Sequence, residues 1–205
     1  MSIRYFLAIS IFVFANQACN LNVNKAIRKV NMQASSNINS NSYYNELIIR
    51  NELIIGFRGF NASGIKLSSV YYVMAFKEND ATAYRFEIPQ IISNQTSMTI
   101  VDSIPVTKES AQKVLRIFRH SADWDLNYND TENDSADDYC FNLTGKQCIV
   151  TDGLTYELSI LTKTNSTVSK LYAPDRYEKV CCSGNVNRVK FLIIKNIMDN
   201  LFDNN

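Results

Sequence analysis

The chain repeats its apolar residues with two different periods, and the shorter period predicts strands in the middle of the sequence. Residues 70–76 and 84–88 show the two-residue period of a β-strand. Residues 77–80, between them, have the polar composition of a turn. We therefore expect a β-hairpin, followed by a strand over residues 97–106 that Pro105 ends. The apolar face of the first strand would consist of Val70, Tyr72, Met74 and Phe76.

The longer period predicts two helices. In residues 107–120, apolar side chains recur at the spacing that gives a helix one buried face. Thr107 can cap the start of this helix, and Arg119 suits the negative charge at its end. Residues 185–202 contain neither Gly nor Pro and predict a closing helix with a wide apolar face. The buried face of the first helix would consist of Ala111, Val114, Leu115 and Phe118.

Two later segments and one short repeat complete the expected fold. Residues 154–160 alternate as a half-buried strand does, and residues 168–172 can pair with them. The sequence Asn-Glu-Leu-Ile-Ile occurs at residues 45–49 and again at 51–55, which predicts either one bent helix or two short strands. Together these elements predict an α+β fold with a mainly antiparallel sheet, braced by disulfides.

The first 18 residues have the layout of an export signal. Arg4 precedes about ten apolar residues, and a patch of small residues follows them. The apolar run is too short to cross a bilayer as a permanent helix. We therefore predict a signal over residues 1–18 and a protein exported to the cell envelope or the extracellular space.

Two cleavage sites are compatible with this signal. Cleavage after Ala15 would leave Asn16 as the first residue of the mature chain. Alternatively, Asn16-Gln-Ala-Cys19 resembles the lipobox of bacterial lipoproteins, although Asn16 stands where an aliphatic residue is usual. That resemblance implies lipidation of Cys19 and attachment to a membrane. Otherwise Cys19 is a free thiol or is removed with the signal.

The rest of the chain divides into a linker and a domain. Residues 19–42 are rich in small polar residues and predict a tether, although its first half could form a short helix. Residues 43–205 are long enough for a single α+β domain with its own core. The 46% apolar content supports folding of this domain.

Charge is distributed unevenly, although the formal net charge is only +1. Residues 121–138 hold seven acidic side chains and no basic one, which leaves 13 acidic against 21 basic residues elsewhere. Because like charges repel one another, we expect an acidic loop over residues 121–138. A net charge this small gives no reason to expect nucleic acid as a partner.

The acidic loop begins with oxygen-bearing side chains at alternate positions, as calcium loops of the EF-hand type do. Tyr128 stands where the sharp turn of such a loop has Gly, and Asp134 replaces the usual bidentate Glu. We therefore expect a solvated loop that binds calcium weakly or not at all, anchored by Trp124, and no other cofactor. The residues that could bind calcium are Asp123, Asp125, Asn127, Asn129 and Asp134.

Five cysteines are present, and two of them are adjacent. The Cα atoms of Cys181 and Cys182 should lie about 3.8 Å apart, which is shorter than disulfide geometry normally requires. We therefore expect both to pair with Cys140 and Cys148, in either of two arrangements, with a Cys140–Cys148 bond as a further alternative. A metal site is less favoured, because the chain has no Cys-x-x-Cys and a single histidine.

No catalytic motif stands out. The sequence lacks Gly-x-Ser-x-Gly, a P-loop and His-Glu-x-x-His. His120, the one histidine, is predicted at a helix end, where its charge is favourable. Two carboxylates of a hydrolase need only converge in space, so the sequence leaves such a pair open.

Three hypotheses about function follow. The leading one is a non-enzymatic, exported interaction protein that binds a protein or a surface ligand. The alternatives are a secreted hydrolase with converging carboxylates and a secreted eukaryotic glycoprotein that binds another protein. An enzyme should show a deep polar cleft, whereas an interaction module should show an exposed apolar patch or a sheet edge.

Overall fold

A computed structural model describes residues 21–34, 36–37, 44–61, 70–87, 99–119, 123–130, 133–151 and 153–203. The predicted export signal, Cys19 and His120 lie outside the described residues.

The described residues form one mixed sheet with helices, in the following chain order. The helices are α1 (Val23–Gln33), α2 (Asn45–Arg50), α3 (Lys108–Arg119), α4 (Asn133–Thr144), α5 (Pro174–Arg176), which continues into a π-helical turn at Tyr177–Cys181, and α6 (Val186–Asp203). The strands are β1 (Ser36–Asn37), β2 (Leu53–Asn61), β3 (Val70–Lys77), β4 (Asp80–Glu87), β5 (Thr99–Pro105), β6 (Asn129–Asp130), β7 (Leu154–Thr162) and β8 (Asn165–Tyr172).

The sheet is almost entirely antiparallel. Its strands follow the order β1-β8-β7-β2-β3-β4-β5, and the short β6 pairs with β8 in the parallel direction. The predicted α+β class, the hairpin of β3 and β4, and the helices α3 and α6 are therefore confirmed.

Helices α1, α3 and α6 pack on one face of the sheet, which we call the helical face. The main core lies between them, and the side chains on alternate positions of β2, β3 and β7 point into it. The opposite face, which we call the open face, carries a smaller cluster formed with α2 and the adjacent Tyr44. Of the predicted strand face, Met74 and Phe76 are buried in the main core, and Tyr72 packs against it.

The tandem repeat forms neither of the two predicted structures. Its first copy is helix α2, and its second copy begins strand β2. The side chain of Asn51 donates a hydrogen bond to the carbonyl of Leu47, 2.8 Å away, at the end of the helix. The amide of Glu52 then donates to the carbonyl of Phe76, 2.8 Å away, and starts the pairing with β3. Tertiary pairing therefore gives identical sequences different structures.

Residues 21–33 of the predicted tether contain the short helix that the sequence allowed, but this helix belongs to the domain. This segment contains α1, whose apolar residues face the main core at helical spacing. Because their burial against the sheet stabilises the helix, the domain begins before residue 43. Residues 38–42 of the predicted tether lie outside the described residues. The buried residues of this segment are Leu21, Val23, Ala26 and Val30.

The predicted acidic loop over residues 121–138 is wrong for its last third, because α4 begins at Asn133. Acidic residues are favoured near the start of a helix, where the backbone carries partial positive charge. The prediction of a loop considered the repulsion between the acidic side chains but not this favourable interaction with the helix. Trp124 is buried against Phe118, at 5.1 Å between ring centroids, and so anchors the earlier part of the segment as expected.

Two disulfides join α4 and the loop after it to the π-helical turn. Cys140 pairs with Cys182, and Cys148 pairs with Cys181, at Cα–Cα distances of 5.3 and 5.6 Å. This confirms that the adjacent cysteines pair elsewhere, and the alternative Cys140–Cys148 bond is wrong.

Arg188 of α6 lies beside these disulfides and is fully buried. Its guanidinium lies 3.8 Å from Asp130 and 3.4 Å from Glu178, and it donates to the carbonyl of Cys182 at 3.0 Å. The ring of Tyr139 lies 4.9 Å from it. Arg188 thus connects β6, α4, the π-helical turn and α6.

None of the helices in the described ranges is both long enough and apolar enough to cross a membrane.

Candidate functional site: a groove on the open face

Charged side chains form a row across the open face, on neighbouring strands. Lys170, Glu157 and Arg58 occupy directly paired positions on β8, β7 and β2. Glu157 is buried, with Arg58 Nη2 2.7 Å and Lys170 Nζ 3.6 Å from its Oε2 atom. Arg58 also donates to the hydroxyl of Tyr71 on β3. Two cations therefore neutralise the carboxylate, and the row links four strands.

Glu157 also favours the charged form of Arg58. Burial lowers the pKa of Arg58, but the hydrogen bond and the charge of Glu157 outweigh that effect and leave the pKa raised. The guanidinium stays charged, as arginine does in proteins. This arrangement suits a structural role, because both charges are already engaged within the sheet.

Tyr44 lies against the same face and connects it to α2. Gly56 of β2 has no side chain, and a Cβ atom there would meet the ring of Tyr44. Burial, followed by the proximity of Tyr71 and Glu157, raises the pKa of the Tyr44 hydroxyl. The close approach that Gly56 allows therefore holds the start of α2 over the sheet.

A groove of about 440 Å³ lies between α2 and strands β3 to β5. Ala75, Thr82 and Tyr84 lie along its floor on β3 and β4, and Leu47 contributes an apolar wall from α2. Charges of both signs stand around this floor, so the groove has a partly apolar base and a charged rim. The charged residues are Glu46, Arg50, Lys77 and Asp80.

Ile100 forms the opposite wall and is 52% exposed. It lies beside an irregularity in β5: Asp102 pairs with Arg85 and Ile100 pairs with Phe86, so Val101 is an extra residue in the strand. A bulge of this kind twists a strand and redirects its side chains. Ile100 and the extra residue Val101 are both exposed, and Ile100 lines the groove.

The same irregularity protects the edge of the sheet. β5 is the last strand of the sheet order. A bulge, a charged residue and a proline all disfavour the addition of another strand, and β5 carries them as Val101, Asp102 and Pro105. The groove itself, rather than the backbone edge, is therefore the better binding surface.

The structure describes the side chains of four of the five predicted calcium residues. The side chain of Asp125 accepts a hydrogen bond from the amide of Asn127 at 2.9 Å, and Asn127 donates its own side-chain amide to the carbonyl of Gln33. Asn129 accepts a hydrogen bond from the amide of Lys170 at 3.1 Å. Asp123 is exposed, and the side chain of Asp134 is outside the described part. Asp125 and Asn129 thus use a side-chain oxygen within the fold of the segment, whereas the buried Oδ1 atom of Asn127 accepts no hydrogen bond in the described part.

Within the described ranges, no group of three His, Cys, Asp or Glu side chains is placed to hold a metal ion. Asp130 and Glu178 are two carboxylates that share one partner, the guanidinium of Arg188. A hydrolase pair instead needs two carboxyl groups that flank a substrate.

The sequence did not reveal the groove. Tyr84 belonged to a predicted strand, but its role depends on α2, which lies in the ambiguous repeat, and on the bulge at Val101. The available signal was the pair of consecutive apolar residues Ile100 and Val101, which breaks the alternation of a strand.

Comparisons with protein-family models, with curated proteins and with solved structures find no match to this chain.

Proposed function

We propose that the chain is an exported interaction protein whose groove binds a segment of a partner protein. The observation that carries this proposal is the group of apolar and aromatic side chains that line the groove between α2 and β5, with Ile100 exposed and charges of both signs around them. Protein interfaces commonly combine an apolar centre with a polar rim. The volume is also within the range of ligand-binding pockets.

The groove indicates the chemistry of that segment. An apolar or aromatic side chain would pack on Tyr84 and Ile100, because those surfaces would otherwise remain in water. Flanking residues of opposite charge would lie beside the rim, whose two acidic and two basic residues balance one another. Such pairs near the surface contribute specificity more than affinity. The expected ligand is therefore a short segment with one apolar anchor and neighbours of mixed charge.

This arrangement favours binding over hydrolysis. Glu46 and Asp80 are the carboxylates of the groove, and both are exposed to solvent. Catalytic acids generally rely on burial or on a closely placed charge to adjust their pKa. The secreted hydrolase remains the second hypothesis, and the described part gives no observation that favours it.

The two disulfides support export, since such bonds persist mainly in oxidising compartments. The apolar start of the chain supports it independently. We include in the proposal a lipid anchor on Cys19, which would hold the domain at a membrane surface.

Peptide selection with matched variants tests the binding proposal. A displayed library of random 12-residue peptides is selected on the oxidised domain, and the affinities of selected peptides are measured by calorimetry. Thr82→Arg places a long charged side chain on the floor of the groove. Val168→Arg makes the same kind of change at a partly exposed position of β8, also on the open face.

We expect selected peptides that share an apolar residue, bind with a stoichiometry of one and lose at least about tenfold in affinity with Thr82→Arg. Val168→Arg should bind within twofold of the unmodified domain. Equal loss with both variants, or no loss with either, would contradict the groove as the binding surface.

A further inference from the structure

A second concave site lies on the other side of the molecule, between α1 and the end of α3. It is a cleft of about 340 Å³, and four of the seven described residues that line it are cationic. None of those seven is acidic. The lining residues are Lys25, Arg28, Lys29, Met32, Gln33, Phe118 and Arg119.

The cations of α1 are arranged in a way that does not stabilise the helix. Lys25, Arg28 and Lys29 are three and four residues apart, so they share one side of α1 and repel one another. Residues 23–33 contain no acidic side chain that would compensate. None of these cations is in the last turn either, where the helix dipole would favour positive charge. Negative charge from outside the helix would relieve this repulsion.

Lys29 is the most enclosed of these cations. It is buried, and its Nζ atom lies 5.7 Å from the centre of the Trp124 ring. Burial, and next the charge of Lys190, lower the pKa of Lys29, whereas Asp123 and Asp125 oppose that effect. Four cations line the cleft and Lys190 is a fifth nearby, whereas the acids beside Lys29 are Asp123 and Asp125. The cleft is therefore positive, although the whole chain has a net charge of only +1.

One wall of the cleft, at the end of α1, is bonded to the start of the predicted acidic loop. Gln33 donates to the carbonyl of Trp124 at 3.1 Å and accepts from the amide of Leu126 at 3.0 Å. Met32 is 80% exposed at the rim and provides an apolar contact beside the charges. The cations thus line one depression whose α1 wall is bonded to residues 124–126.

We infer that this cleft binds a small ligand carrying two or more phosphate or sulfate groups. Lysine and arginine bind such groups through charge-assisted hydrogen bonds, and the volume suits a phosphorylated or sulfated sugar. Binding would also stabilise the charged form of Lys29 and relieve the repulsion along α1. The site is separate from the groove on the open face, and its existence does not depend on the function proposed for that groove.

Calorimetry with two probes tests this inference and distinguishes the two anions. Inorganic pyrophosphate represents phosphate ligands, and sucrose octasulfate represents sulfated saccharides. Emission of Trp124, the only tryptophan, gives a second readout beside Lys29. We expect binding with a stoichiometry of one for at least one probe, and affinity that falls as salt is added. The probe that binds more tightly identifies the anion.

Three variants connect the binding to the cleft. Lys25→Gln with Arg28→Gln removes two exposed cations and should weaken affinity at least about tenfold. Lys29→Met keeps the long apolar stem, so the domain should stay folded while affinity falls about as much. Lys146→Gln with Lys179→Gln changes net charge equally at exposed sites near the disulfides and should alter affinity less than twofold.

The inference is overturned if neither probe binds at about 0.15 M ionic strength. It is also overturned if the control variant weakens binding as much as the cleft variants, because net charge alone would then explain the affinity. Binding only to vesicles containing phosphatidylserine, with neither soluble probe bound, would equally contradict it and would assign the cations to a membrane surface.

Discussion

Replacing Arg188 should lower the free energy of unfolding of the domain more than any other single charge removal considered. In Arg188→Met, the fully buried Asp130 loses the guanidinium as its counter-charge, and the carbonyl of Cys182 loses a donor. At 3.8 Å, two unit charges interact by roughly 4 kcal/mol at an effective dielectric constant of 20. Loss of one partner of a buried pair costs about 3–5 kcal/mol in measured cases.

That loss is a large share of the about 5–15 kcal/mol that stabilises a typical domain. For a domain of this size it corresponds to a decrease in Tm of roughly 6–20 °C. Urea unfolding of the oxidised protein, followed by circular dichroism, gives the free energy of unfolding directly. Arg188→Lys should lose less, because it keeps the charge but not the planar donors.

Two further proteins make this experiment specific. Lys113→Met removes an exposed pair with Glu109, whose Oε1 atom lies 3.0 Å from Lys113 Nζ, and should cost about 0.5 kcal/mol or less. Arg188→Met combined with Asp130→Asn should recover part of the lost stability, since the buried carboxylate is no longer charged. A loss below about 1 kcal/mol for Arg188→Met, or no recovery in the double variant, would refute the reasoning.

Four other predictions follow from the disulfides, the tyrosines, the acidic segment and the start of the chain. Replacing Cys148 and Cys181 by Ala should cost about 2–3 kcal/mol in urea unfolding, because the remaining bridge already closes the outer loop; no change in the urea midpoint would contradict this. Since burial raises the pKa of Tyr44, the unfolded chain ionises first, so stability is full below about pH 10 and falls as pH rises above it; Tyr44→Phe should reduce that fall, and an unchanged slope would count against it. Calorimetry should show no tight calcium site in residues 123–134, and a dissociation constant at or below about 10 μM would overturn this expectation. Cys19→Ala should release the protein from the membrane fraction, whereas a mature chain that begins at Asn16 without lipid would exclude the anchor.

Local patterns in the sequence were sufficient for the elements whose buried faces are regular. Helix α3 was predictable because Ala111, Val114 and Phe118 recur at helical spacing and all reach the core. The pairing of Cys181 and Cys182 with distant cysteines followed from chain geometry alone. Which cysteine pairs with which depended on the position of α4, and the sequence does not contain that information locally.

Local patterns could not predict the groove or the start of the domain, because both depend on contacts between distant residues. The two Asn-Glu-Leu-Ile-Ile copies are identical, so only their contacts with Phe76 and the rest of the sheet distinguish helix from strand. A short helix was predictable in residues 21–33, but its place in the core was not, because polar residues outnumber the few apolar ones that reach the core. In both places, long-range packing decided the structure.

The most direct test of the proposed function is to map the binding site by NMR. The ¹⁵N-labelled domain is titrated with the tightest selected peptide, and shifts of the backbone amide signals are followed. The proposal predicts that the largest shifts cluster around the groove. Shifts concentrated on α1, α3 and α6, or spread evenly over the domain, would contradict it. The residues expected to shift are Leu47, Arg50, Ala75, Thr82, Tyr84 and Ile100.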